Sequence, residues 1–332
     1  MPGYGYWLGR RGGMLVIKKA GGEKRELSVG NIGRVIANAR GLSISGDALY
    51  LLLKHNVHLI LMSRNRPVGI LHPLGRGAPV LLKKRQVTIQ GGERGFELAR
   101  NIVYGKLSNQ IEFMRQLRRS TFRRNRDAMD ILFEAYNEIT GIRGEVSGLE
   151  YSSDYRARLI GLEAEAARVY WEALSLVLPD WIGFDRRRKR FEGASDPLNL
   201  GLNYLYSILA GVVWGALEIG GLDPWIGYLH KDNNRRPSLV MDLMEEFRQP
   251  TVDKPLIKYL LGLRKADGLV MDGRITDGYR DMLLRIFFER LQSRVSYDGY
   301  TSSFEGHINR QVRRLARYIM GREHSYKPFM RV

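Results

Sequence analysis

The sequence predicts an α+β protein, with a small, mostly antiparallel β domain at the N-terminus and a larger all-α catalytic domain after it. Short apolar segments separated by glycines and polar turns fill about the first eighty residues, which is typical of strands. From about Gly92 the apolar residues recur with a period close to 3.6, which is the period of α-helices. We therefore predict a β domain at 1–85, a linker at 86–93 and a helical domain at 94–332.

Each domain has recognisable elements. Four N-terminal segments have the composition of strands, at 14–18, 34–38, 57–62 and 68–72. A short helix is predicted between the second and third of them, because the hydroxyl of Ser45 can cap a first helical turn. Helical periodicity continues through eight later segments, at 94–119, 126–140, 152–178, 197–219, 238–247, 255–262, 276–295 and 306–321.

Net charge is the strongest compositional feature. The 332 residues include 53 Lys and Arg against 35 Asp and Glu, which gives a formal net charge of +18. Such an excess indicates a polyanionic partner, most often nucleic acid. A membrane surface is the competing partner, but no clear basic amphipathic helix or lipidation signal occurs. The basic residues cluster at 115–126, 186–190 and 310–317, where phosphate contacts and plain solvated surface are the two alternatives.

Other features bear on location. We expect no apolar run of the roughly 18 uncharged residues that cross a bilayer, and the N-terminus lacks the apolar core of a signal peptide. Cysteine is absent from the sequence, which excludes disulfides and thiolate metal ligands and fits a cytoplasmic protein.

The segment 227–250 combines a histidine, a basic loop and an acidic cluster on a predicted helix. Nitrogen and carboxylate ligands beside a basic loop suit a divalent metal that acts on a phosphate, and Mg²⁺ or Mn²⁺ suits this mixture best. An exposed acidic helix face is the alternative. The polar residues concerned are His230, Lys231, Arg235, Arg236, Asp242, Glu245, Glu246 and Arg248.

A second candidate is Glu163, which falls in the middle of the apolar face of the predicted helix at 152–178. A carboxylate there is costly unless it is paired or bound to a cation. The alternatives are a salt bridge to a buried arginine and a metal ligand. Glu165 lies on the opposite, solvated face and needs no such explanation. No P-loop, HExxH or GxSxG motif occurs, which argues against those kinds of site.

These segments together resemble a known family, the CRISPR-associated integrase and endonuclease of spacer acquisition, the first of the Cas proteins. The resemblance covers nearly the whole chain. Its sharpest motifs are Gly161-Leu-Glu163-Ala-Glu, Asp196-Pro-Leu-Asn199, Gly227-Tyr-Leu-His230 and Asp242-Leu-Met-Glu245. Carried over by position, the resemblance implies that Glu163, His230 and Glu245 are metal ligands and catalytic residues, with Asp242 as a nearby catalytic acid. Glu246 stands where proline is common in the family, and Glu245 remains the predicted ligand.

The resemblance also implies an activity and partners. It implies transesterification, in which a 3′-hydroxyl of captured DNA attacks a phosphodiester at the end of a CRISPR repeat, with Mg²⁺ or Mn²⁺ as cofactor. It implies double-stranded and branched DNA as substrates, a homodimer formed through the β domain, and a complex with the small second Cas protein. The predicted DNA-binding residues are Arg186, Arg187, Arg188, Lys189, Arg190, Lys231, Arg235, Arg236 and Arg248.

Two other functions remain open at this level. One is a non-catalytic DNA-binding or scaffolding protein, in which Glu163 belongs to a buried salt bridge. The other is an RNA-processing nuclease, because basic patches suit RNA equally well, although no RNA-recognition motif favours it.

Overall fold

The structure of the protein is a computed structural model, which describes residues 5–38, 40–63, 66–71, 80–121, 125–234, 236–263, 265 and 268–331. Its internal contacts divide the chain into two compact units, an N-terminal unit, Met1–Pro79, and a C-terminal unit, Val80–Val332. Strands dominate the described part of the first unit and helices dominate that of the second, which confirms the predicted fold class.

The N-terminal unit has two sheets and one helix in its described residues. One sheet has the strand order β3-β2-β1-β5 and the other has the order β4-β6-β7. The pairs β1–β5 and β4–β6 are parallel, and the other three pairs are antiparallel. The elements are β1 (Tyr6–Arg11), β2 (Met14–Lys19), β3 (Lys24–Ser28), β4 (Arg34–Asn38), β5 (Leu42–Ile44), α1 (Gly46–Lys54), β6 (His58–Ser63) and β7 (Arg66–Leu71).

Apolar side chains from both sheets and from α1 form the core of this unit, including the buried Leu8, Leu52 and Leu59. Ser45 caps α1 as predicted, since its Oγ accepts a hydrogen bond from the Ala48 N–H at 3.2 Å. The four predicted strands are present to within two residues, apart from position 72, which lies outside the described residues. The strands β1, β3 and β5 were not among the predicted segments, and the polar sequence KRELS of β3 has no strong apolar alternation.

The boundary between the units falls before Val80, whereas we expected it after residue 85. A helix, α2 (Val80–Thr88), occupies part of the predicted linker. Its Gln86 is fully buried, and the side-chain amide is satisfied there by donating to the carbonyls of Asp223 at 2.7 Å and Ile226 at 3.3 Å. These hydrogen bonds join α2 to the C-terminal unit.

Eight further helices form most of the described C-terminal unit. They are α3 (Glu93–Gln116), α4 (Arg126–Gly148), α5 (Tyr155–Val177), α6 (Pro197–Ile219), α7 (Ser238–Met244), α8 (Lys254–Leu261), α9 (Asp277–Gln292) and α10 (Phe304–Ile319). Two short hairpins accompany these helices in the described part of the unit. Their strands are β8 (Val270–Met271), β9 (Arg274–Ile275), β10 (Arg294–Tyr297) and β11 (Tyr300–Ser303). The predicted helix at 276–295 therefore ends early, where β10 begins.

The helix α6 contradicts our expectation about apolar runs. By length and composition alone, Pro197–Ile219 is long and apolar enough to cross a membrane, and it has no charged residue before Glu218. In the structure 67% of its most apolar window is buried. It packs against α7, α8, α9 and α10, so its composition is explained by its place in the core of the C-terminal unit.

Candidate active site

Lys106 lies at the centre of the candidate site. It projects from α3 with a side chain that is only 6% exposed, and its Nζ lies 2.7 Å from Oε2 of Glu245. The same Nζ also pairs with Oε1 of Glu163 on α5. Glu245 directly follows α7, and its Oε1 pairs with the guanidinium of Arg248 at 2.9 Å. Two acids from distant parts of the chain therefore share one ammonium group.

Burial and ion pairing act in opposite directions in this cluster. Burial alone would lower the pKa of Lys106, but the charges of Glu245 and Glu163 outweigh it and raise the pKa. Burial alone would raise the pKa of Glu245, but Arg248 and Lys106 together outweigh it and lower the pKa. Lys106 and Glu245 therefore stay ionised at neutral pH, and the cluster balances two acids against two bases.

The salt bridge considered for Glu163 is present, but the partner is a lysine and not an arginine. Glu163 is also only partly buried, with a side-chain exposure of 22%. Sequence motifs and spacing did not single out Lys106 as a site residue. A signal was available in the sequence, because Lys106 lies among the apolar Ile102, Val103 and Leu107 of a predicted helix, where a charge needs a partner.

His230 is held by Asp242. The Nδ1 of His230 lies 2.7 Å from Oδ1 of Asp242, and an ionised carboxylate can only accept, so Nδ1 carries the proton. This arrangement leaves Nε2 of the imidazole as the atom that can bind a ligand. Burial alone would lower the pKa of His230, but the hydrogen bond and charge of Asp242 outweigh it and raise the pKa.

Asp242 is fully buried on α7 and organises the loop before it. Its Oδ2 accepts hydrogen bonds from the backbone N–H groups of Tyr228 at 2.6 Å and Leu229 at 3.0 Å, and Oδ1 accepts from that of His230 at 3.0 Å. Gly227 begins this loop with no room for a side chain, since an added Cβ would lie 2.6 Å from Cβ of Ser238. Asp242 thus positions His230 and the loop that carries it, and its predicted role as a catalytic acid stays a prediction.

The predicted metal ligands are neighbours, but they are not arranged around an empty centre. Glu163 and Glu245 share Lys106, and His230 interacts electrostatically with Glu245. Within the ranges that the structure describes, no three His, Asp or Glu side chains converge closely enough to hold a metal ion as they stand. The donor types nevertheless fit a hard divalent cation. They are one imidazole nitrogen and two carboxylates, and the carboxylates already share the ammonium group of Lys106.

Glu245 and Glu246 face different surroundings, although they are adjacent. Glu246 is fully buried and turns toward the C-terminal segment, where its Oε2 accepts from the Phe329 N–H at 2.7 Å. Its Oε1 accepts from the hydroxyl of Tyr326 at 2.6 Å. Burial raises the pKa of Glu246 to about 7. Of the two acids, Glu245 is therefore the one that faces Lys106.

A buried network of two tyrosines and one aspartate lies next to Arg248. The guanidinium of Arg248 lies over the ring of Tyr206, 4.8 Å from its centre. The Tyr206 hydroxyl donates to Oδ1 of Asp253 at 2.5 Å, and the hydroxyl of Tyr170 donates to Oδ2 at 3.0 Å. Arg248 is thus fixed within the C-terminal unit, with 19% of its side chain exposed, and it is not a free surface residue.

The basic run at 186–190 divides into residues bound within the protein and residues that face solvent. Arg187 turns inward, where its guanidinium donates to Oδ1 of Asn199 at 3.0 Å and of Asn203 at 2.7 Å. Arg188 pairs with Asp185. Arg186 and Lys189 are exposed to solvent, as are Lys231 and Arg236 in the other predicted loop. Arg235 and the side chain of Arg190 lie outside the described part of the chain.

Comparison with solved structures shows a shared fold. A casposase bound to integration product aligns with a TM-score of 0.79 at 22% identity, over 98% of this chain and 91% of that chain. A Cas1 protein from Thermotoga maritima aligns with a TM-score of 0.76 at 19% identity, over 96% of each chain.

Sequence comparison finds relatives with higher identity to this chain than those solved structures have. The "CRISPR-associated endonuclease Cas1 1" of Archaeoglobus fulgidus is 32% identical over 99% of this chain and 98% of its own length. A protein of the same name from Pyrobaculum aerophilum is 36% identical over 82% of this chain and 85% of its own length. The family model for CRISPR associated protein Cas1 matches residues 2–265, which include Lys106, Glu163, His230 and Glu245. The chain therefore belongs to the Cas1 family of CRISPR-associated proteins.

Proposed function

We propose that this protein is a metal-dependent DNA endonuclease and integrase of CRISPR adaptation, which inserts captured DNA fragments into a CRISPR array. The observation that carries the proposal is that Glu163 and Glu245 both contact the ammonium group of Lys106, next to His230. All four residues lie within the part of the chain that matches the family. Relatives that are named as CRISPR-associated endonucleases support the proposed endonuclease activity.

The proposed reaction is a transesterification. The 3′-oxygen of the captured fragment forms a bond to the phosphorus at the end of a repeat, and the bond from phosphorus to the displaced 3′-oxygen of the array breaks. The proton of the attacking hydroxyl is lost to water, and the displaced oxygen gains a proton. With water as the attacking group the same site would cut DNA, so nuclease and integrase activities need one arrangement of residues.

Glu163, Glu245 and Nε2 of His230 would hold Mg²⁺ or Mn²⁺. When bound, such an ion polarises the phosphate and stabilises developing negative charge. Asp242 keeps Nδ1 protonated and so presents Nε2 as a ligand. Arg248 neutralises one oxygen of Glu245 and keeps that carboxylate in place. Acid should weaken ion binding, because a protonated imidazole cannot coordinate.

We further propose double-stranded and branched DNA as substrates, a homodimer formed through the N-terminal unit, a complex with the small second Cas protein, and action in the cytoplasm without a membrane. The net charge of +18 favours a polyanion. Related folds include a casposase bound to an integration product and a complex that contains Cas1 and Cas2, which support DNA and the second Cas protein as partners.

The test is Mn²⁺-dependent processing of a branched, half-integrated DNA by the wild type and by His230→Ala and Glu163→Gln. We expect strand transfer and cutting by the wild type and a loss of about 100-fold in either variant, because His230→Ala removes one proposed ligand and Glu163→Gln removes the negative charge of another. His324→Ala is the matched control, since this exposed histidine lies outside the site.

The same assay contains arms for the alternatives. Folded variants that retain full activity would contradict the assigned site. Binding without reaction by every protein, even after the second Cas protein is added, would indicate a DNA-binding scaffold. Cleavage of a matched RNA in preference to the DNA would indicate an RNA nuclease.

A further inference from the structure

Lys106 is the basis of an inference about how the site accepts its metal. Its ammonium contacts both Glu163 and Glu245, and its side chain is almost fully buried in α3. Ion pairs at the surface contribute little, but a buried ammonium between two carboxylates is strongly favoured over the same carboxylates left without a counter-ion. Lys106 therefore holds together two acids from α5 and the end of α7 that would otherwise repel each other.

An ammonium and a divalent cation cannot share this position. Mg²⁺ binds oxygen ligands at about 2.0–2.1 Å, and Nζ of Lys106 lies 2.7 Å from Oε2 of Glu245 and also contacts Glu163. We propose that Lys106 is the resident counter-ion of the two acids and that a divalent cation binds by displacing its ammonium. The proposal rests on the proposed metal-dependent function and adds a competing group within the chain.

The exchange has two physical consequences. Metal affinity is lower than the three ligands alone would give, because each binding event must first break the contacts of Lys106 with both acids. The charge of the cluster also changes, since Lys106 and Arg248 already balance Glu163 and Glu245 before an ion binds. A divalent cation then adds positive charge without removing Lys106 from the chain, which makes the site attractive to a phosphate.

The test compares Mn²⁺ binding by the wild type and by Lys106→Met, measured by isothermal titration calorimetry and by electron paramagnetic resonance of unbound Mn²⁺. Methionine keeps an unbranched apolar side chain and removes the charge. We expect Lys106→Met to bind Mn²⁺ more tightly by about tenfold or more, because no ammonium has to leave. We also expect Mn²⁺ to raise its melting temperature by more than that of the wild type.

Lys327→Met is the matched control, because Lys327 also pairs with a carboxylate, that of Asp298, outside this site. We expect it to bind Mn²⁺ as the wild type does. Equal or weaker binding by Lys106→Met, relative to this control, would overturn the displacement model, since Lys106 would then assist the ligands or play no part. Absence of Mn²⁺ binding by all three proteins would overturn the metal-dependent function as well.

Loss of folding in Lys106→Met would not end the test. The variant would then be refolded with and without saturating Mn²⁺ and followed by circular dichroism. The displacement model requires Mn²⁺ to restore the fold, because the ion would replace the missing positive charge between the two acids. A variant that stays unfolded with Mn²⁺, while the Lys327→Met control folds, would contradict the model.

Discussion

Asp242 shows how one buried carboxylate sets the chemistry of a neighbour. Each of its two oxygens accepts two hydrogen bonds, from three backbone N–H groups and from Nδ1 of His230. With every acceptor direction engaged inside the protein, the carboxylate orients the loop and selects the tautomer of His230. In the proposed reaction it would act through His230, as a positioning residue.

We therefore predict that Asp242→Asn lowers Mn²⁺ affinity by about 10–100-fold and also destabilises the fold. An asparagine amide presents donors to N–H groups that need acceptors, so the loop and the imidazole lose their fixed arrangement. Calorimetry gives the affinity, and ¹⁵N shifts of His230 give the tautomer. Asp298→Asn is the control, since it removes a charge elsewhere. An unchanged tautomer and affinity in folded Asp242→Asn would contradict this role.

At the scale of elements, the end of α7 decides which acid reaches the site. We expected one helix through residue 247, but α7 ends at Met244 and a π-helical turn follows at Gln249–Asp253. Glu245 and Glu246 directly follow α7, and their side chains reach different partners, Lys106 in one case and the C-terminal segment in the other.

The C-terminal segment is held by a second charged group, centred on Asp298 between β10 and β11. Its carboxylate pairs with Lys327 at 2.5 Å, with Arg314 and with Arg310 at 3.4 Å. The hydrogen bonds from Lys327 and Arg314 lower the pKa of Asp298 from 3.8 to about 2. Asp298 thus ties α10 and the C-terminal segment to the hairpin.

We predict that Asp298→Asn lowers the free energy of unfolding at pH 7 by about 1–2 kcal/mol, after allowance for partial exposure to solvent. Because the folded pKa lies below the unfolded one, the charged form stabilises the fold above about pH 4, and this stabilisation is lost as the pH falls toward 2. Urea unfolding of both proteins at several pH values measures the difference. A difference that is constant with pH would contradict the assignment.

At the scale of the whole molecule, the charge of +18 describes an overall attraction to polyanions but not the residues that contact them. The run at 186–190 illustrates this, because Arg187 and Arg188 are paired with other residues of the protein, whereas Lys189 faces solvent. Neighbouring basic residues with the same formal charge therefore differ in what they can offer to DNA.

We predict that Arg186→Glu combined with Lys189→Glu weakens DNA binding and flattens its salt dependence, by about one unit of slope for each phosphate that the variant no longer neutralises. Arg187→Gln should leave that slope unchanged and instead lower stability, because it breaks the bonds to Asn199 and Asn203. Fluorescence anisotropy over a range of salt concentrations measures the slopes. An unchanged slope in the double variant would identify this loop as surface without a role in binding.

The sequence by itself determined the fold class, the large positive charge and the three candidate ligands, because strand and helix periodicities, composition and short motifs are local properties. Only the tertiary structure decided that Lys106 pairs with both Glu163 and Glu245, that Asp242 accepts a hydrogen bond from Nδ1 of His230, and that α2 belongs to the C-terminal unit. These facts depend on which side chains meet after α3, α5 and α7 have packed together. These contacts join residues that are far apart along the chain, and the spacing of residues within one segment carries no information about such contacts.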